Sequence, residues 1–136
     1  MMNVKTIFSK YEPYVYAVLR IVTGFLFLWH GSQKVLGIPP PAHQLTPLLV
    51  FVAGPIELLG GLFVMTGLWT RWAAFICSGM MASAYWAYHG INELLPIVNG
   101  GELAFLYCFL FLYIFSKGSG IVSIDNLLKK RTDLRA

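Results

Sequence analysis

Four apolar runs separated by short breaks set the pattern of this chain. They extend from about Tyr14 to Leu36, Pro47 to Gly67, Arg71 to His89 and Gly101 to Ser116. Roughly 20 apolar residues rising ~1.5 Å each cover the ~30 Å of bilayer hydrocarbon, so the runs predict four membrane spans. None alternates apolar and polar residues with the period of a barrel strand. A helix satisfies its own backbone hydrogen bonds in lipid, which makes it the expected spanning element.

The breaks are as telling as the runs. Gly37-Ile38-Pro39-Pro40-Pro41 cannot continue a helix, because consecutive prolines lack donors and favour extended geometry, so a short outer loop is expected to reach Thr46. Gly67-Leu68-Trp69-Thr70 reads as a tight turn with Thr70 as a candidate N-cap of the third helix. The segment Gly90 to Gly100 carries Ile91, Leu94, Leu95, Ile97 and Val98, too apolar for a free solvent loop, and is expected to lie in the interface or lid the bundle. Residues 1–13 form a polar arm with Lys5 and Lys10. The first run is too long for a signal-peptide core and lacks a small-x-small cleavage site, so it is expected to stay as a span. Beyond Gly118-Ser119-Gly120, Ser123 is placed to cap a short basic helix that ends in Lys129, Lys130, Arg131 and Arg135.

Composition agrees with the pattern. The 136 residues are 57% hydrophobic and 12% charged, with a mean hydropathy of +0.67, outside the range of ordinary soluble domains. The expectation is one membrane domain over residues 1–136, an all-α four-transmembrane-helix bundle, since no connection is long enough to hold a separate core. Lys5, Lys10, Arg71, Lys117, Lys129, Lys130, Arg131 and Arg135 fall on one side of such a bundle and only Lys34 on the other. The positive-inside rule then places both termini in the cytoplasm of a multi-pass cell-membrane protein, of the bacterial inner-membrane type. Trp69, Trp72 and Tyr14 fall at the inner interface and Trp29, Trp86 and Tyr88 at the outer one. The basic tail is explained by attraction to anionic lipid, so the bilayer and not nucleic acid is the expected partner. Cys77 and Cys108 lie in different runs with no Cys-x-x-Cys pair, which argues against thiol-disulfide chemistry and for buried packing cysteines.

Ionisable residues inside the apolar runs are the candidate chemistry, because a charge at mid-depth faces protein or a wet cavity rather than lipid. Glu57 sits in Gly54-Pro55-Ile56-Glu57-Leu58-Leu59-Gly60-Gly61, and glycines at i−3, i+3 and i+4 clear bulk from its face. Pro55 predicts a kink just before it. Arg20, Gly24, Phe27, Gly31 and Lys34 share one side of the first helix, with His30 at its edge. Counting residues from the inner ends of the two runs puts Arg20 and Glu57 about 6 Å apart in height. They are expected to form either a structural ion pair or a charged wall of a ligand or proton site. A second cluster toward the outer face gathers His30, Lys34, His89, Asn99 and Glu102. There Lys34 and Glu102 are expected to make a snorkelling pair at the interface. The two histidines could serve as axial haem ligands, or as a metal pair with Glu102, yet no spacing demands either, so no metal is assigned and haem is disfavoured. A proton or solute pathway lacks ionisable side chains between Phe105 and Phe115 other than tyrosine and Cys108.

In order along the chain, Arg20 with Thr23-Gly24, His30-Gly31 with Lys34, Glu57 with Gly60-Gly61, Gly67 before Thr70-Arg71, Asn99-Gly100-Gly101-Glu102, and Gly118 and Gly120 with Ser123 and Asp125 together resemble the DoxX-like family of small four-helix membrane proteins. Ser119 stands where that family has a proline. The resemblance implies a small membrane subunit or quinone-interacting component of an oxidoreductase system, with a redox protein as partner and quinone as the cofactor class. The alternative it implies is a non-enzymatic assembly or interaction protein, monomeric or oligomeric, whose polar core only sets its packing. No catalytic residue carries over.

Overall fold

A computed structural model describes residues 4–90 and 93–135, with side chains from Ser9 onward. The expected features at Ile91, residues 1–3, the Lys5 side chain and Ala136 lie outside the described residues. The described residues are helical with no β-strand among them.

Helix α1 runs from Val4 to Val35, longer than its apolar run, because Pro13 lies inside the helix rather than ending it. The arm expected before the first span is therefore an extension of α1; a proline within a helix forgoes one intrahelical bond, and here the flanking turns hold the geometry. After the proline-rich loop, helical backbone resumes at Pro47. Residues Leu49–Ala53 form a π-helical turn that leads into α2, Gly54–Thr66. Ahead of Pro55, where the sequence predicts a kink, Gly54 N–H reaches back to Leu49 O, widening the turn just before the residue that has no N–H to give. Gly67, at φ 73°, ends α2 in the left-handed conformation that glycine adopts without strain.

Helix α3, Thr70–Ala84, also passes into a π-helical turn, Tyr85–His89. Thr70 is its first residue and not its N-cap; that position is Trp69, at φ 47°, without a capping side chain of its own. The second loop holds the short α4, Pro96–Asn99, and keeps Leu94, Leu95, Ile97 and Val98 exposed. Helix α5 spans Glu102–Lys117 and α6 spans Ile124–Asp133, the latter capped by Ser123, whose hydroxyl accepts from Asn126 N–H at 3.2 Å.

Packing follows the small residues. A Cβ on Gly24 or Gly61 would strike the backbone of the opposite helix, and one on Gly31 would fall on Leu58, so α1 and α2 touch backbone to backbone. Gly60 leaves room for the Cys77 sulfur of α3, and Ser78 of α3 donates to Cys108 O of α5 at 2.8 Å. Between the pairs lies an aromatic core in which the Phe27 ring packs against Tyr107 and Phe111 at centroid distances of 5.2 and 4.6 Å.

The distribution of polarity is inverted relative to a water-soluble fold. Arg20, Thr23, Ser32, Glu57, Thr70 and Ser78 are buried, whereas Val18, Phe25, Phe51, Leu59, Trp72, Phe75, Leu106 and Phe109 are exposed. Among the described residues, two helical segments are both long and apolar enough to cross a bilayer, Ser9–Val35 and Leu49–Thr66.

Candidate functional site

The two ends of the bundle hold different polar groups. At the end where α2 meets α3, charged side chains close off helix termini. Arg20, fully buried, donates from one guanidinium nitrogen to Val64 O and to Met65 O at 2.8 Å, and from the other to Val122 O. It thus supplies a donor to Met65 O and a second one to Val64 O, which also accepts from Gly67 N–H at 3.3 Å, and ties the segment before α6 to the core. Arg71 does the same for α5, donating to Phe115 O at 2.7 Å and Ser116 O at 3.0 Å. The Asp125 carboxylate accepts from Trp69 N–H at 2.8 Å, Thr70 N–H at 3.1 Å and the Thr70 hydroxyl at 3.1 Å, which supplies the cap that α3 lacks locally. Tyr16 completes this end by donating to Gly118 O.

At the opposite end the polar side chains face a cavity. Lys34 forms an ion pair with Glu57, their side chains 15% and 5% exposed. Gly54 makes the contact geometrically available, since a Cβ there would press on the Lys34 stem at 3.0 Å. Beside the pair opens a pocket of about 590 Å³, within the range of small-molecule sites. His30, Lys34 and Glu57 form one wall, Met80, Met81 and Tyr107 line its apolar depth, and Tyr88 and His89 stand at its rim. The His30 and Tyr107 rings meet edge to face at 6.1 Å.

Arg20 and Glu57 are not partners, contrary to the residue count from the ends of the apolar runs. That count set both helices level at those ends, but α1 overhangs the bundle. Gly67 lies beside the Arg20 guanidinium, and Gly31 lies against the Glu57–Leu58 backbone. Glu57 is therefore level with Gly31, eleven residues or roughly 16 Å of helix beyond Arg20, and Lys34, one turn on, is the cation that reaches it. This also overturns the expected Lys34–Glu102 pair; Glu102 sits exposed in the first turn of α5.

The outer cluster is brought together only in part. His30, Lys34 and His89 share the pocket with Glu57. Asn99 instead knits its own loop: its amide donates to the Tyr85 hydroxyl at 3.2 Å and Glu93 O at 2.7 Å and accepts from Gly101 N–H at 2.7 Å. His89 Nδ1 lies 3.1 Å from Asn99 O. Among the described residues no three His, Cys, Asp or Glu side chains gather as a metal site, and both cysteines are free. Sequence reasoning missed Tyr107 as a pocket wall and Arg71 and Asp125 as caps. Tyr107 reads as one more aromatic of an apolar run, and Asp125 acts across a separation of 55 residues.

Comparison with known proteins adds the following. The family model described as DoxX matches residues 15–90. An "Uncharacterized protein" of Haemophilus influenzae is 43% identical over 130 residues, covering 90% of this chain and 97% of its own length. A Bacillus subtilis protein named "Putative oxidoreductase CatD" is 25% identical over 118 residues, 83% of this chain and 86% of that one. No solved structure matches.

Proposed function

The chain belongs to the DoxX family, and from that premise we propose that it is a multi-pass cell-membrane bundle of four spanning helices, a single membrane domain with both termini cytoplasmic, that holds a quinone-type molecule as a small component of a membrane oxidoreductase system. The observation that carries the reading is the pocket of about 590 Å³ in which a paired cation and carboxylate and an imidazole stand beside a largely apolar interior. The inverted polarity supports the membrane part, because exposed Val, Leu, Phe and Trp on α1, α2, α3 and α5 match lipid, and buried Arg20 and Glu57 are each answered by protein groups. The similarity to a protein named as an oxidoreductase supports the redox part.

A bound quinone would supply the two-electron chemistry, with a partner protein as its electron source or sink. The chain's part is to hold the ring. The Lys34 ammonium is a donor for a ring carbonyl, His30 is a second donor at the same wall, and Glu57 keeps Lys34 charged and oriented. His30 and His89 act here as lining groups and not as haem or metal ligands.

Mass spectrometry of an organic extract from protein purified in mild detergent tests this, with a visible spectrum recorded beforehand. The expected result is about one quinone per chain in the wild type and at least tenfold less in Lys34→Met. An empty protein that co-purifies with another membrane protein would replace this reading with the assembly one, in which Lys34 and Glu57 only set helix register. A Soret band would return the two histidines to a haem role.

A further inference from the structure

The seam between α2 and α3 holds a second cavity, about 230 Å³, lined by Pro55, Ile56, Leu59, Gly60, Phe63, Ala73, Ile76 and Cys77, with no ionisable side chain other than the thiol. Its place matters more than its size. Ala53 at the end of the first π-turn, Glu57 of α2 and Met80 and Met81 of α3 line the first pocket, and Ile56, Leu59 and Gly60 of α2 with Ala73, Ile76 and Cys77 of α3 line the second. The two cavities are therefore consecutive along one seam.

The geometry of α2 and α3 explains why the seam is open. A three-residue turn joins the helices at the Arg20 end, and Gly60 brings α2 against Cys77 there. Toward the other end both helices adjoin π-helical turns, Leu49–Ala53 and Tyr85–His89, and residues of both turns line the pocket. A π-turn widens a helix and displaces its side chains, and such turns recur at binding sites. Val52 of one turn and Ala87 and Tyr88 of the other line the pocket while remaining exposed, so the mouth opens on the apolar outer surface. Leu59 and Ile76, the outer walls of the second cavity, are exposed on that same surface at 52% and 53%.

We infer that this seam is a two-part site for a tailed amphiphile: a flat ring head that accepts hydrogen bonds from the Lys34 wall, and a hydrocarbon tail that leaves through the mouth between the π-turns and lies in the cleft between α2 and α3. The inference rests on the quinone reading and adds the ligand class, a prenylated or alkylated ring that reaches the pocket from the lipid. Burial of each tail methylene in the cleft strengthens binding without any further polar contact. Lys34, Glu57 and His30 stand together in the first pocket, and the second is lined by apolar side chains and one thiol, so the head is held at the charged groups and the tail follows the apolar cleft.

The test uses two naphthoquinones with the same ring, menadione with no tail and menaquinone-4 with four isoprene units, titrated into the full chain in detergent. Two groove variants on opposite walls, Leu59→Trp and Ile76→Trp, fill the cleft without touching the first pocket. Leu106→Trp, on the exposed face of α5 and outside both cavities, is the control. Either groove variant should weaken menaquinone-4 at least tenfold and menadione less than threefold, with the control unchanged for both. Equal weakening of both probes by the groove variants, or unchanged menaquinone-4 binding in folded forms of both, overturns the tail path. Lys34→Met should weaken both probes alike. If it weakens neither while the groove variants still discriminate between them, the head assignment falls and the tail groove stands. If the wild type binds neither probe, both fall.

Discussion

The Arg20 end and the Glu57 end of the bundle each bury charge, but they discharge it differently. At the Arg20 end the charged groups nearest the core are spent on backbone, two arginines on the C-termini of α2 and α5 and one carboxylate on the N-terminus of α3, while Lys117 and Glu12 pair with each other on the surface. At the Glu57 end the charges answer each other, with the pair set in the wall of a 590 Å³ pocket. A charge fixed on carbonyls has little left to offer a ligand, whereas a Lys–Glu pair keeps further donors and acceptors available. This contrast favours a structural role at one end and supports the proposed binding at the other, though both were equal candidates as intramembrane charges.

The largest expected effect breaks the first half of that contrast. Arg20→Met removes donors from Val64 O, Met65 O and Val122 O at once, leaves Val64 O with only the 3.3 Å bond from Gly67 N–H, and cuts one of the ties between the segment before α6 and the core. Thermal unfolding in detergent should show a loss of at least about 3 kcal/mol, since hydrogen bonds to charged groups contribute ~1.5–3 kcal/mol each. Arg20→Lys should recover little, because an ammonium cannot span carbonyls on two separate elements in the way a planar guanidinium does. Retained stability in Arg20→Met would remove the structural assignment of this end.

The second effect concerns coupling. Lys34→Met or Glu57→Gln alone leaves its partner buried and unpaired, a loss of about 3–5 kcal/mol, and the double variant should recover much of it. Arg20→Met combined with Glu57→Gln should instead be additive, because these residues stand roughly three turns apart and share no partner. A double-mutant cycle that finds coupling in the Arg20–Glu57 pair and none in Lys34–Glu57 would reverse the assignment of the two ends.

Residue types and apolar runs made the helices and their close approach readable in advance. The Gly24, Gly31 and Gly61 positions announce helix contact because only a missing Cβ lets backbones meet, and Gly60 does so by making room for the Cys77 sulfur. Ser123 announces a helix start through a local bond. What the chain does not display is register between helices. Glu57 could be matched to Arg20 or to Lys34 until the overhang of α1 was known, and no local pattern encodes that overhang, since Pro13 reads as a stop and is helical. Caps made across the fold are hidden for the same reason: Trp69 and Thr70 look like a self-capped turn, and their acceptor, Asp125, comes from another helix. The π-turns that line the pocket also escape a reading based on periods of 3.6.

The smallest effects lie in the seam between the two ends, where the cysteines sit. Cys77 is fully buried against Gly60, and Cys108 is partly buried, its carbonyl rather than its sulfur accepting the stronger bond from Ser78. Cys108→Ala therefore keeps that bond and should change stability by no more than about 0.5 kcal/mol. Cys77→Ala removes a sulfur from a packed contact and should cost about 1 kcal/mol, the scale of a small void. Cys108→Ala should leave quinone retention unchanged, since that residue lines neither cavity. The sharper form of the test adds Gly60→Ala, whose Cβ collides with the Cys77 sulfur: alone it should destabilise more than Cys77→Ala, and in Gly60→Ala/Cys77→Ala the new methyl occupies the space the sulfur leaves. Unfolding midpoints of the four proteins decide the matter. A double variant as unstable as the sum of the singles would mean that Gly60 is needed for its backbone alone, and the sulfur would then have no part in holding the seam.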